Sequence, residues 1–378
     1  MKIIINALSA RQGGGQTYLK NLLENLPEHK KVEVIVVMPK SLELQLNHCN
    51  IKKLNTLEII GNNPIARILW EIFILPKIIR NTESDVLFCP GGSVSGNIPK
   101  SCKVVTTFQN MLPFDKVQSK KYPLGYARFR NWYLSKKLLK SMSKSDLVIF
   151  ISKYAKSVIE NDYGLKLKNS IVIPHGISPI FNKNTELELP RPSWLPSSEY
   201  LLYVSIFDVY KDQLEVIKAY NLLKRGNKID LKLVLIGSKH SLYGQQALQL
   251  VNKIGLEKDV LIVGEVPYNE LPAIYQHALI NIFASETENC PFILLEALAS
   301  GRPLLSSNCQ PMPEFGGDAA LYFNPQSPNE LSRLIAKVVD DKVLINKLSQ
   351  KSLKRSLLYN WKKSAKCTWG AISQLIDR

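Results

Sequence analysis

Two carboxylates, Glu288 and Glu296, stand with seven residues between them in the run Glu288-Asn-Cys-Pro-Phe-Ile-Leu-Leu-Glu296-Ala-Leu-Ala-Ser-Gly301. Between Phe292 and Ala299 every residue except Glu296 is apolar, so a helix here has no solvent side and belongs in a core. A carboxylate in such a place is costly unless a cation or hydrogen-bond donors meet it. Pro291 suits the first helical position and Gly301 the stop, which predicts a helix over residues 291–300. Its leading N–H groups and positive dipole end face the loop carrying Glu288, a ready site for a diphosphate. Carboxylates for hydroxyls and a helix start for phosphate oxygens together describe a nucleotide sugar. A plainer reading stands beside it: Glu288 is a loop residue and Glu296 pairs with a neighbouring Lys or Arg, because ion pairs also carry charge into cores.

Two further places hold residues suited to a phosphorylated ligand. Gly13, Gly14 and Gly15 follow the first predicted strand and open a helix, so the backbone there can approach a ligand closely. The run lacks Gly-x-Gly-x-x-Gly spacing and no acidic residue ends the second strand, which argues against a dinucleotide cofactor; a flexible loop is the alternative. Lys211 lies in the loop after the first strand of the second half. Ligands of doubly wound sheets sit beyond the carboxyl ends of strands, so this cation is placed to neutralise a leaving phosphate. Its alternative is a surface lysine.

The elements that must position these residues alternate in type. Short apolar strands are predicted at 2–6, 32–38, 86–89, 104–108, 147–151 and 170–174, then at 200–205, 232–237, 260–263, 280–284 and 303–306. Helices are predicted at 16–25, 65–80 and 153–161, and at 212–223, 244–254, 269–277 and 291–300. The pattern implies an α/β protein of two Rossmann-like, doubly wound parallel-sheet domains. Pro179, Pro190, Pro192 and Pro196 mark residues 176–198 as a linker. The domains are therefore read as 1–178 and 179–359, with a C-terminal helix at about 360–378, anchored by Trp361 and Trp369, returning to the first. Two domains also suit a chain of 378 residues.

Composition narrows the setting. Six cysteines (Cys49, Cys89, Cys102, Cys290, Cys309 and Cys367) form no Cys-x-x-Cys pair, which speaks against zinc and disulfide frameworks. No apolar run reaches the roughly 18–20 residues that span a bilayer, and the N-terminus reads as a strand instead of a signal peptide, so a cytoplasmic protein is expected. The net charge of +17 is uneven: residues 1–178 carry 26 basic and 12 acidic residues, the rest 23 and 20. Residues 116–144 hold nine Lys/Arg and no acid, interleaved with Tyr122, Tyr126, Phe129, Trp132 and Tyr133. A basic helix bearing aromatic rings fits the anionic face of a membrane. Nucleic acid fits on charge alone, and a solvated helix with inward-packed aromatics is the plain alternative.

With these residues in view, the chain over roughly residues 1–340 resembles the GT-B-fold glycosyltransferases of family 4, retaining enzymes that use nucleotide sugars. The Glu-x7-Glu pattern of Glu288 and Glu296, the following Leu-Glu-Ala-Leu-Ala-Ser-Gly-Arg-Pro, the Gly13–Gly15 run, Lys211, the Ile-Pro-His-Gly-Ile segment at 173–177 and Pro313-Glu-Phe-Gly-Gly carry the likeness. The resemblance implies that Glu296 holds the donor ribose diol, that Glu288 lies beside the transferred sugar, and that Lys211, Gly14 and Gly15 meet the diphosphate. It also implies a cleft between the domains, no metal or other cofactor, and retention by front-face attack with the donor phosphate taking the acceptor proton. This chain departs from the family pattern in three places. Asn289-Cys290-Pro291 replaces Gly-Phe-Gly and removes one backbone donor, so phosphate contacts shift to Phe292 and Ile293. Ser205 stands where an arginine is common. Gln109 and Asn110 stand where a His-Asp pair is common; neither is a base, so both read as hydrogen-bonders for the acceptor.

The expectation is thus a retaining transferase moving a sugar from a UDP- or GDP-type donor to a lipid-linked glycan acceptor in cell-surface polysaccharide biosynthesis. It would work in the cytoplasm, held peripherally to the membrane through residues 116–144, without a nucleic-acid partner. A GT-B nucleotide-sugar epimerase using Glu288 and His175 is the enzymatic alternative, and a non-catalytic basic nucleic-acid-binding protein the other.

Overall fold

The structure is a computed structural model that describes residues 1–10, 14–27, 32–40, 49–181, 189–226 and 230–376. Gly13 and residues 182–188 of the Pro-rich linker therefore lie outside the described residues. The chain forms two compact units, Met1–Gly176 with Trp361–Arg378, and Ile177–Asn360.

The first unit is built on a parallel sheet. Its strands are β1 (Lys2–Asn6), β2 (Glu33–Pro39), β3 (Ile51–Thr56), β4 (Val86–Cys89), β5 (Lys103–Phe108), β6 (Leu147–Phe150) and β7 (Ser170–Val172), in the order β3-β2-β1-β4-β5-β6-β7. Every residue of β4 and β6 is buried, as expected of parallel strands covered on both faces. Strand order reverses between β1 and β4, which leaves a crevice at their carboxyl ends. Around the sheet run α1 (Gly14–Glu24), α2 (Glu58–Asn62), α3 (Pro64–Phe73), α4 (Leu75–Thr82), α5 (Lys116–Lys121), α6 (Tyr126–Lys144) and α7 (Lys153–Ser157).

The second unit repeats the plan with β8 (Tyr200–Val204), β9 (Lys232–Ile236), β10 (Val260–Gly264), β11 (Ile280–Phe283), β12 (Leu304–Ser307) and β13 (Ala320–Phe323), ordered β10-β9-β8-β11-β12-β13 and all parallel. Its helices are α8 (Gln213–Arg225), α9 (Leu242–Lys253), α10 (Leu271–His277), α11 (Phe292–Ala299), α12 (Met312–Gly316), α13 (Pro328–Val339) and α14 (Lys342–Ser356). Here the order reverses between β8 and β11, the two strands that precede Lys211 and Glu288. The last helix, α15 (Trp361–Gln374), belongs to the first unit. The Trp369 indole donates to the Leu22 carbonyl of α1 at 3.1 Å, and the Trp361 ring lies 5.3 Å from that of His175.

Two sequence-based readings and one alternative are corrected by these elements. The helix predicted at 65–80 is two helices, α3 and α4, because Pro76 has no N–H to continue the ladder. The stretch from about residue 327 onward, expected as one last helix, is three, α13, α14 and α15; Asp341 caps α14, accepting from the Leu344 N–H at 2.9 Å. The aromatics of residues 116–144 do not pack inward: Tyr126, Phe129, Trp132 and Tyr133 are all exposed. The inner face of α6 is instead Asn131, Ser135, Leu138, Ser141 and Met142. Among the described residues no helix is long and apolar enough to cross a membrane.

Candidate functional site

The loop after β8 carries Lys211. Asp208 starts it by accepting from the Val209 N–H at 2.7 Å, and a single 3-10 turn, Val209–Lys211, ends at Asp212, whose φ of +54° is left-handed. A non-glycine residue there is uncommon and stores backbone strain. It is held by Gln326, whose amide donates to Asp212 Oδ1 at 2.7 Å and to Glu286 Oε1 at 3.0 Å. Gln326 thereby ties the Lys211 loop to the loop after β11. Gly237, at the end of β9, makes the same close packing possible, since a Cβ there would lie 2.0 Å from the Ser205 carbonyl oxygen.

Lys211 is no surface lysine: only 5% of it is exposed. Its ammonium pairs with Glu288 Oε1 and sits over the rings of Tyr210 at 4.9 Å and Phe283 at 5.6 Å. Glu288 also accepts from the Ser285 hydroxyl at 2.8 Å. The cation expected at a phosphate and the carboxylate expected at a sugar thus hold each other, an arrangement the spacing of either residue could not reveal.

The helix carrying Glu296 begins one residue later than the sequence suggests. Pro291 has an extended ψ of 99° and acts as the N-cap, its carbonyl accepting from the Leu295 N–H at 3.1 Å, so α11 starts at Phe292. The N–H groups of Phe292 and Ile293 precede that first intrahelical bond and project from the helix start. Gly301 terminates the helix region with a φ of +67°. Leu294, Leu295 and Leu298 are fully buried, each contributing roughly 2 kcal/mol, and they anchor Glu296 in the core.

Glu296 is 6% exposed and pairs with neither Lys nor Arg among the described residues; its Oε1 accepts from the Tyr268 hydroxyl at 2.8 Å. Burial raises its pKa to about 8 against the lowering effect of that hydrogen bond. Tyr268 escaped the sequence reading because its only signal was a tyrosine in a loop. Ser205 is buried, and its hydroxyl has no hydrogen-bond partner.

In the first unit, Gly14 and Gly15 open α1, and a Cβ on Gly15 would lie 4.0 Å from Gln109 Oε1. The glycine run and Gln109 are therefore neighbours. The Gln109 amide nitrogen is buried without a partner, whereas Asn110 accepts from the Leu112 N–H at 3.2 Å and so shapes its own turn. His175 is enclosed by Tyr18 and Trp361, with ring centroids at 5.0 and 5.3 Å, and burial pushes its pKa down to about 3. It is a neutral core residue at physiological pH. Among the described residues no group of three or more His, Cys, Asp or Glu clusters as metal ligands would.

Two family models match the chain: Glycosyltransferase Family 4 over residues 12–180 and Glycosyl transferases group 1 over residues 188–355. The chain belongs to the family 4, group 1 glycosyltransferases. This glycosyltransferase is 25% identical over 302 residues to the serotype-specific mannosyltransferase WbdA of Escherichia coli, a match covering 76% of the chain and 36% of WbdA. The chain thus spans about a third of the length of that relative. It is 24% identical over 263 residues to the O-antigen chain mannosyltransferase B of Escherichia coli, covering 68% of the chain and 67% of the relative. Among solved structures, a glycosyltransferase from Rickettsia africae superposes with a TM-score of 0.75 at 16% identity, covering 99% of this chain and 98% of that one. Anabaena HepE, solved with UDP and glucose, superposes with a TM-score of 0.71 at 15% identity, covering 99% of both chains. These structures share the GT-B fold with this glycosyltransferase.

Proposed function

We propose that this glycosyltransferase moves a sugar from a UDP- or GDP-type donor onto a glycan in polysaccharide biosynthesis, with retention of anomeric configuration. The observation that carries the reading is the convergence of Lys211, Glu288, Glu296 and the start of α11 at the reversal point between β8 and β11. A nucleoside diphosphate supplies a counterpart for each group. Glu296 accepts the ribose hydroxyls; the Phe292 and Ile293 N–H groups, with the positive end of α11, meet the phosphates. Lys211 leaves Glu288 for the more highly charged diphosphate, and Glu288 turns to the hydroxyls of the sugar. Positive charge beside the departing diphosphate then comes from Lys211 and the helix, and transfer needs no divalent cation. No protein nucleophile is assigned: the acceptor hydroxyl attacks on the face from which the diphosphate leaves and gives its proton to a departing phosphate oxygen. Gln109 and Asn110 are assigned to the acceptor. The neutral, enclosed His175 leaves the epimerase reading without its acid-base partner.

The names of the curated relatives favour mannose and O-antigen or capsular glycans as the chemistry to try first. A lipid-linked acceptor is favoured by the basic, aromatic face of α5 and α6, which suits an anionic membrane surface. The test is transfer from labelled nucleotide sugars with the product's anomeric configuration read by NMR. Glu296→Ala and Lys211→Ala should weaken nucleotide diphosphate binding by at least tenfold, and Glu288→Ala should abolish transfer. An inverted product, or wild-type rates in all three variants, overturns the assignment.

A further inference from the structure

Glu296 already has a hydroxyl on it. The Tyr268 O–H donates to Oε1 at 2.8 Å, and a ligand hydroxyl would make the same contact. Tyr268 is 47% exposed, at the start of a one-turn 3-10 segment, Tyr268–Glu270, after β10. Its ring lies edge-on to Phe181 at 5.7 Å. A ring half in solvent on a short loop is able to swing aside without uncovering a core.

A second hydroxyl waits beside the first. Tyr275, on α10, is 1% exposed, yet its O–H has no hydrogen-bond partner among the described residues. Its ring lies edge-on to Phe181 at 5.9 Å, the same ring that Tyr268 meets at 5.7 Å; burial raises its pKa, and Glu296 and then Tyr268 raise it further. An unmade hydrogen bond at a buried hydroxyl costs stability. The Glu296 carboxyl keeps hydrogen-bonding capacity beyond the contact with Tyr268, and that one donor does not fill it. One donor displaceable from the carboxylate and one buried hydroxyl left over match a ligand that brings two adjacent hydroxyls.

We propose that Tyr268 is a placeholder on Glu296 that a ligand diol displaces, and that Tyr275 gains its missing partner when this happens. The pair makes Tyr268 a specificity-determining residue: its hydroxyl competes with a vicinal diol and is indifferent to ligands that lack one. The inference rests on the donor reading above, in which that diol belongs to a ribose.

Isothermal titration with UDP and GDP, and with their 2′,3′-dideoxy forms, tests it on the full chain. The readout is the ratio of dideoxy to ribo Kd. Wild type should bind one of the two diphosphates with a modest ratio. Tyr268→Phe should raise the ratio about fivefold, the worth of one hydrogen bond no longer displaced, through tighter binding of the ribo form. Tyr268→Ala, which also clears the ring, should raise the ratio by a similar factor whatever it does to overall affinity. Tyr275→Phe should lower the ratio while leaving the unfolding temperature unchanged or higher. A purely structural Tyr268 would leave the ratio unchanged or lower it, and either result in both Tyr268 variants overturns the placeholder. If neither diphosphate binds the folded wild-type protein, the donor reading itself fails and the placeholder with it.

Discussion

Glu296 carries a titration whose sign follows from its surroundings. Its carboxyl rises from 4.5 to about 8 on burial. Between those values the native state holds a proton that the unfolded chain has lost, so unfolding free energy falls as pH climbs through that window. Glu296→Gln cannot ionise. Its stability relative to wild type should therefore improve steadily from pH 4.5 to 8, read by urea denaturation across that range, and a flat difference would show that the carboxylate is already solvated or paired. The Lys211–Glu288 pair makes a second prediction. Lys211→Ala strands a carboxylate that is only 17% exposed and should cost about 1–3 kcal/mol, part of which the Lys211→Ala, Glu288→Ala double variant should recover. The residue types of this site were legible in the sequence; their pairings were not. Lys211 and Glu288 are 77 positions apart, Tyr268 and Glu296 28 apart. Spacing along a chain reports which side chains share a helix face and says nothing about which loops a sheet brings together.

Elements were legible in proportion to how deeply they are buried. The central strands announce themselves as short apolar runs because both faces are covered. β3 does not: its sequence Ile-Lys-Lys-Leu-Asn-Thr is mostly exposed at the sheet edge, and polar edge residues erase the apolar run. β13 was missed because four residues between turn signals look like a loop. The start of α11 shifted by one residue because Pro291 is equally acceptable as cap or first turn. Loop geometry is where element-scale constraint is greatest. Gly237→Ala, with a φ of +144° and the Ser205 carbonyl 2.0 Å from the new Cβ, should destabilise the protein by more than about 3 kcal/mol. Calorimetry would show it as a drop of many degrees, and a near-normal melting temperature would mean that the loop after β8 is free to move. Gln326→Ala should be milder for stability and heavier for nucleotide binding, because it unties the Lys211 loop from the loop after β11.

For the whole molecule, charge and exposed apolar surface coincide in the first unit. Leu124, Tyr126, Phe129, Trp132 and Tyr133 are exposed within the acid-free segment 116–144. The α3 residues Ile65, Leu69 and Phe73 turn a second apolar stripe outward. The two helices are neighbours, with Lys137 of α6 3.9 Å from the buried Glu71 of α3. Flotation with vesicles containing anionic lipid should recover the protein in the lipid layer. Added salt should weaken that binding, as for any association driven by surface charge. Replacing Lys120, Lys121, Arg130 and Lys136 by Ser should abolish flotation, and Trp132→Ser should reduce it several-fold. Retention by neutral vesicles alone, or by single-stranded nucleic acid in preference to either, would assign the face differently.

The place of α15 has a consequence for how the protein is born. The second unit is one continuous stretch of chain, complete once Asn360 has left the ribosome. The first unit lacks the helix that covers His175, Tyr18 and Leu22 until Trp361 and Trp369 emerge. Domains generally fold in order of synthesis, but here the first unit must wait for residues that follow the second unit in the chain. A nascent chain stalled before residue 361 should present a protease-resistant second unit and a cleavable first one.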